Sequence, residues 1–141
     1  MDDSSLLSLL PRRRLGVLVT LKRDGRPQLS NVNYHYDAAT RTVRVSVTAS
    51  RAKTRNLLRD PRASFHVMSE DGWAWTVVEG DAELSAVAAE PYDAAVEELV
   101  ALYRAIQGEH PDWDEYRAAM IADQRQVVRL PVGRVYGQAP R

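Results

Sequence analysis

The chain contains no cysteine, one phenylalanine and two lysines in 141 residues. Without cysteine there is no disulfide, no thiolate nucleophile and no cysteine-bound metal. No apolar run approaches the roughly 20 residues of a membrane-spanning helix. The N-terminus places Met1-Asp2-Asp3 before a short leucine-rich run and Arg12-Arg13-Arg14 after it, the reverse of the charge order of a secretion signal. Neither sign of charge is in excess: 19 basic residues balance 19 acidic ones, so no global field attracts nucleic acid or an anionic membrane. These absences predict a cytoplasmic protein with neither nucleic acid nor membrane as partner. His35, His66 and His110 are scattered without metal-ligand spacing, and there is no P-loop and no G-x-S-x-G elbow. Glu79, Glu83, Glu90, Glu97 and Glu98 form no paired-carboxylate pattern. Neither a catalytic side chain nor a metal site is expected.

What the chain does have is enough apolar residue, 45%, to bury the core of one domain spanning residues 1–141. A short N-terminal helix over 1–12, capped by Ser4 or Ser5 and ended by Pro11, carries Leu6, Leu7, Leu9 and Leu10. A strand from Leu15 to Leu21 meets Asp24-Gly25, a strong hairpin signal, and returns over 27–36. Residues 42–48 alternate with period two, placing Val43, Val45 and Val47 toward the core. A helix over 51–60 stops at Pro61. Strands follow over 63–68, 73–79 and 82–85, with Gly80-Asp81 as a break. Helical spacing of Tyr92, Val96, Leu99, Val100, Tyr103 and Ile106 ends at Gly108, and a second helix starts at Asp112 or Asp114 and reaches Asp123. One last bent strand over 126–136 precedes a flexible tail at 138–141. Six or so antiparallel strands with a short helix after the third and a helical pair before the last suggest a small barrel with helices attached; the class is α+β, with no βαβ alternation.

The segment Ser50-Arg51-Ala52-Lys53-Thr54-Arg55-Asn56-Leu57 sets three cations and two hydroxyls where a strand ends and a helix begins. Cations in a first turn oppose the helix dipole at roughly 0.3–1 kcal/mol each, while unpaired N–H groups there favour anions. The arrangement points to a bound phosphate; a solvated charged helix face is the plainer alternative. Gln28, Ser30 and Asn31 place donors and acceptors along one strand, as a ring edge with alternating C=O and N–H requires, or as an exposed strand face would. Trp73 and Trp75 suit stacking on a ligand, a dimer interface or core burial. A polar strand, an anion cradle and aromatics without a catalytic side chain suit a site where a cofactor carries the chemistry.

Four pieces in order, Gly16-Val17-Leu18-Val19-Thr20, Asp24-Gly25-Arg26-Pro27-Gln28-Leu29-Ser30-Asn31-Val32, Arg51-Ala52-Lys53-Thr54-Arg55-Asn56-Leu57 and Asp60-Pro61-Arg62-Ala63, resemble the pyridoxamine 5′-phosphate oxidase-like split-barrel superfamily. The closer similarity is to its branch that binds the deazaflavin coenzyme F420. The resemblance implies a six-stranded antiparallel split barrel with flanking helices, and a homodimer with two sites shared between protomers. It also implies a cofactor phosphate held around Ser50, Arg51, Lys53 and Thr54, with Gln28, Ser30 and Asn31 along the ring and its side chain. Val47 and Thr48 would pass beside the ring, and Trp73 would come from the partner chain. Arg55 and Arg59, one turn apart on a helix face, suit the carboxylates of a polyglutamate tail, which FMN lacks. No second anion site is evident for a B6 substrate phosphate. The expected activity is hydride transfer between F420 and a small conjugated acceptor. The alternatives are an FMN-dependent pyridoxamine phosphate oxidase-like protein, or a carrier that binds deazaflavin, FMN or heme without turnover.

Overall fold

The computed structural model describes residues 3–140. Nine strands form two antiparallel sheets among these residues. In the first sheet β2 (Pro27–Asn33), β1 (Leu15–Leu21), β5 (Arg62–Met68), β6 (Trp75–Asp81) and β9 (Arg134–Gln138) lie in that order. In the second the order is β3 (His35–Asp37), β4 (Thr42–Thr48), β8 (Arg125–Pro131) and β7 (Glu83–Leu84). Helices α1 (Asp3–Leu7), α2 (Ala52–Arg59), α3 (Ala94–Gln107) and α4 (Trp113–Ala122) flank them. The α+β split-barrel class is as the sequence implies.

The extra strands arise because, besides the passage through α2 from β4 to β5, the chain passes directly from one sheet to the other at three places. The return strand expected over 27–36 divides at Tyr34, whose N–H donates to the Arg14 carbonyl while its hydroxyl donates to the Leu10 carbonyl. Its ring meets the edge of Phe65 with centroids 4.7 Å apart, and burial pushes its hydroxyl well above the usual tyrosine range. Before the crossing the chain pairs with β1, and after it with β4. The second crossing is at Ala82, whose N–H donates to Pro61.

The third replaces the single bent strand expected at the C-terminus: the Val132 N–H donates to Arg41 and the Gly133 N–H to Glu79, each 2.9 Å. Neighbouring residues thus bond to different sheets, leaving β8 in one and β9 in the other. Gly80 does not break its strand. It lies inside β6, opposite Ala63, because a Cβ there would fall 2.4 Å from the Pro131 carbonyl oxygen. Glycine in a strand marks such a close backbone approach.

Val43, Val45 and Val47 face the barrel interior with Leu18, Phe65 and Val78, as their alternation predicts. On β8, Val128 and Leu130 join this core, whereas Val127 joins a second one formed with Val96, Leu99, Val100 and Met120 of α3 and α4. Glu98 adds a charged clamp, 2.5 Å from Arg129 and 3.4 Å from Arg44. Asp93 caps α3 by accepting from the Val96 N–H, and Asp112 caps α4 by accepting from the Glu115 N–H. Tyr92, placed in that helical pattern by spacing, precedes the cap and is exposed. The second sheet is therefore covered on both faces.

The first sheet is not. Leu15, Leu29 and Met68 on its outer face are 58%, 61% and 52% exposed, beside partly buried Val17, Val19, His66 and Trp75.

At the N-terminus, Asp3 opens α1 ahead of Ser4 and Ser5, and Pro11 sits inside a 3-10 turn over Leu10–Arg12. Gln138, expected in the tail, pairs opposite Trp75, and Met1, Asp2 and Arg141 lie outside the described residues. None of the helices in the described residues is long and apolar enough to cross a membrane.

Gly80→Ala is expected to lower stability by about 1–3 kcal/mol, the usual cost of forcing an extra carbon into a packed contact. Urea unfolding measures it, and a variant as stable as the parent would contradict the crossing geometry.

Candidate functional site

Helix α2 begins in an unusual way for this chain. Thr48 ends β4, and its carbonyl accepts both the Arg51 N–H at 3.1 Å and the Thr54 hydroxyl at 2.8 Å. Thr54 is fully buried, so its hydroxyl ties the helix to the strand and faces away from solvent. The N-cap position is Arg51, and no side chain accepts the first-turn N–H groups. Both later long helices carry an aspartate at that place. The start of α2 is left with N–H donors and exposed Ser50 and Arg51, an anion-favouring end. On the far side of the helix, Asn56 donates to the Thr20 hydroxyl at 3.1 Å and Arg59 to the Leu21 carbonyl at 2.6 Å, fixing α2 against β1.

The three cations expected to act together are divided by the helix. Two residues apart, Lys53 and Arg55 point into different clefts. Arg55 lines a cleft of about 670 Å³ with Lys22, Arg23, Asp24, Gln28 and Arg59, where a single carboxylate meets four cations. Lys53 lines another of about 380 Å³ between β2, β4 and the α3–α4 pair. There it is joined by Arg125, placed opposite Thr48 by the β4–β8 register. Burial, and then the charges of Arg51 and Arg125, hold the Lys53 pKa below the usual lysine value. Arg51, Lys53 and Arg55 form no ion pair among the described residues.

The remaining predicted residues are distributed as follows. β2 is the free edge of its sheet; Gln28 and Ser30 are partly buried along it and Asn31 is exposed. Asn31 lies in the Lys53 cleft, whereas Gln28 lies in the Arg55 cleft. The Val47 side chain is buried in the barrel core, leaving only its backbone for a ligand, while partly buried Thr48 adjoins the helix start. Trp73 belongs to the turn after β5, beyond the Met68–Trp75 pair, whereas α2 runs into the opposite end of that strand. Within one chain, Trp73 and the cations are thus at opposite ends of the first sheet. Trp75 lies on the open face, its ring 6.0 Å from Tyr136 and 6.2 Å from His66.

Sequence reasoning missed Arg125, Ser46, Tyr103 and Gln107, all of which line the Lys53 cleft. Their convergence depends on β4–β8 pairing and helix docking across long stretches of chain, for which no local spacing gives a signal. No group of three or more metal-ligating side chains occurs among the described residues.

The family model for pyridoxamine 5′-phosphate oxidase matches residues 3–139. A conserved hypothetical protein of Mycobacterium tuberculosis has a similar structure, with TM-score 0.75 at 23% identity, covering 99% of this chain and 85% of its own. An F420 reductase gives TM-score 0.69 at 23% identity over 92% of this chain and 94% of its own. A heme binding protein from Mycobacterium smegmatis gives 0.61 at 21% identity over 98% of this chain and 57% of its own. At these identities the likeness is one of fold, and this fold accommodates proteins named for different cofactors.

Lys53→Ala is expected to leave stability at pH 7 unchanged or slightly raised. A lysine whose folded-state pKa is depressed opposes folding while it is charged, and that opposition is relieved as pH rises through the depressed value. Any advantage of the variant should therefore shrink at alkaline pH. Chemical denaturation across pH checks this; a clear loss of stability at pH 7 would make Lys53 a structural residue.

Proposed function

Because the chain belongs to the pyridoxamine 5′-phosphate oxidase family, we propose that it is a redox protein binding coenzyme F420, with the cofactor phosphate at the start of α2. The observation that carries this reading is the uncapped first turn with unpaired Arg51 and Lys53 beside it. The donor set fits a phosphate: backbone N–H groups, a guanidinium and an ammonium converge with no carboxylate to repel it. Ser50 adds a hydroxyl. Thr54 acts at one remove, by fixing the helix start through Thr48.

Asn31 on the free edge of β2 and the backbone of Val47 and Thr48 border the path from phosphate to ring. Gln28 and Arg55 belong to the second cleft, whose four cations suit a chain of carboxylates. That cleft supports F420 over FMN, because the F420 tail is a polyglutamate. When bound, the deazaflavin supplies a hydride from its ring C5 to a conjugated small-molecule acceptor. The chain's own residues hold and orient the cofactor and exclude water from the ring.

A second reading also draws on the geometry. Where the sequence suggested a single anion site, the fold has two cation-lined clefts, and the second could take a substrate phosphate in an FMN-dependent pyridoxamine phosphate oxidase-like enzyme. Fluorescence titration separates the two. F420 is expected to bind more tightly than FMN, with Lys53→Ala weakening it by roughly 1.5–3 kcal/mol, the range for a charge-assisted hydrogen bond. FMN binding with no F420 binding below about 100 μM would reverse the assignment; an affinity of that order is only about 5 kcal/mol.

The open face of the first sheet supports a homodimer with shared sites. Its apolar side chains lie uncovered on one flat surface, and a second copy would bury them and provide a route for Trp73 to reach the other protomer's cofactor. Leu29→Arg is expected to convert a dimer into a monomer of 15.8 kDa in sedimentation, without unfolding it, because Leu29 is exposed in the single chain. A wild-type monomer that binds cofactor tightly would exclude shared sites.

A further inference from the structure

The cleft of about 380 Å³ contains more than a phosphate site requires. Arg125 is held there by weak contacts alone. Its Nε is enclosed without a hydrogen-bond partner, the Asp123 carboxylate standing 3.9 Å from that same nitrogen, and a terminal nitrogen is 3.4 Å from the Ser46 hydroxyl. The other arginines packed against the second sheet have closer partners: Arg129 is 2.5 Å from Glu98, and Arg44 is 3.2 Å from Asp37. No aspartate or glutamate lines the cleft. An enclosed guanidinium donor without an acceptor is costly, and an incoming oxyanion would remove that cost.

The opposite wall has different chemistry. Leu102, Tyr103 and Ile106 of α3 and Met120 of α4 make it apolar and aromatic, with Gln107 and Asn33 as neutral hydrogen-bonding groups. Tyr103 is braced by neighbouring rings, 4.9 Å from Tyr116 and 5.7 Å from Trp113. A thioether and a braced ring facing a cation suit a flat ligand with a charge at one end. A volume of this size lies at the small end of ligand sites, which favours a compact molecule over an extended polycyclic one. Beside Lys53, which this cleft shares with the helix start, Arg125 offers one further charge, and a carboxylate matches it.

We propose that this cleft is the acceptor pocket and that it takes a small, planar, conjugated carboxylic acid, with Arg125 binding the carboxylate and Tyr103 and Met120 packing on its plane. Calling the ligand an acceptor rests on the redox reading above; binding of the acid does not.

The test uses the cofactor-free protein and two matched probes, trans-cinnamate and its neutral amide cinnamamide, titrated by NMR. Wild type should prefer the acid by about tenfold, the change expected from one charge-assisted hydrogen bond. Arg125→Gln should abolish the preference and Arg125→Lys should keep part of it. Tyr103→Ala should weaken acid and amide alike, which keeps the proposal testable if Arg125→Gln fails to fold. Equal binding of acid and amide to wild type, or an undiminished preference in Arg125→Gln, would overturn it. A tenfold loss of cofactor affinity in Arg125→Gln, with no acid preference in wild type, would instead assign Arg125 to the cofactor phosphate. An Arg125-dependent acid preference in a protein that binds no F420 would keep this pocket and remove the F420 reading.

Discussion

The Thr54 hydroxyl bonded to the Thr48 carbonyl fixes the start of α2 and with it the directions of Arg51, Lys53 and Arg55. It is a short-range bond between the end of one strand and the first turn of the next helix, and it is buried, where such a bond is least readily exchanged for water. With that end fixed and the other held by Arg59 on Leu21, α2 cannot rotate about its axis. Residues two apart on a helix lie on different sides, so Lys53 and Arg55 are directed into separate clefts. Placing Arg51 at the cap in place of an acidic residue leaves the donors for an external acceptor. Two cation-lined clefts therefore lie on different sides of a single short helix.

The barrel sets the distance between these clefts and the rest of the molecule. Its three direct crossings, with the passage through α2, join the two sheets, and each direct crossing uses backbone groups that would otherwise be unpaired in the interior. The crossing at Val132 and Gly133 admits the β6 backbone so closely that Gly80 has no space for a side chain. Coverage is then uneven. The second sheet carries α3 and α4, clamped by Glu98, whose carboxyl is held below its ordinary range chiefly by the hydrogen bond from Arg129. The first sheet has apolar residues on both faces but no helical layer over the outer face that carries Leu15 and Leu29. A face of that composition is typical of an interaction surface.

The parts of this architecture that were legible in the sequence depend on short-range pattern. Val43, Val45 and Val47 alternate, Asp24-Gly25 makes its hairpin, and Gly108 closes α3, each within a few residues of its cause. The α+β class with a small barrel was legible for the same reason, and the ordered motifs added the split-barrel family. The illegible parts need partners far along the chain. Tyr34 interrupts its strand because of Leu10 and Arg14, and Gly80 continues its strand because of Pro131. Arg125 enters the cleft because β8 pairs with β4 some 77 positions earlier by register, Thr48 against Arg125. Trp73 looked like a ligand-stacking residue from its neighbours alone; strand direction places it at the other end of the sheet from α2. A cluster of cations read along a line becomes two clusters once the line is wound into a helix.

The neutral total charge conceals a marked division of labour. Among the described residues, carboxylates serve arginines that hold the fold: Glu98 with Arg129 and Arg44, Asp60 with Arg62, Glu97 with Arg117 and Glu109 with Arg104. None serves Arg51, Lys53 or Arg55. Burial of Lys53, and after it the charges of Arg51 and Arg125, work against the folded chain and hold the Lys53 pKa low. Surface ion pairs would have cost little to provide, and the chain provides them elsewhere. Charges left uncompensated around uncapped N–H groups make the start of α2 a place that favours an external anion. Since an anion binding there relieves repulsion already present, its binding and the stability of the folded state are linked: ligand that binds the folded form alone stabilises it in proportion to the logarithm of its concentration.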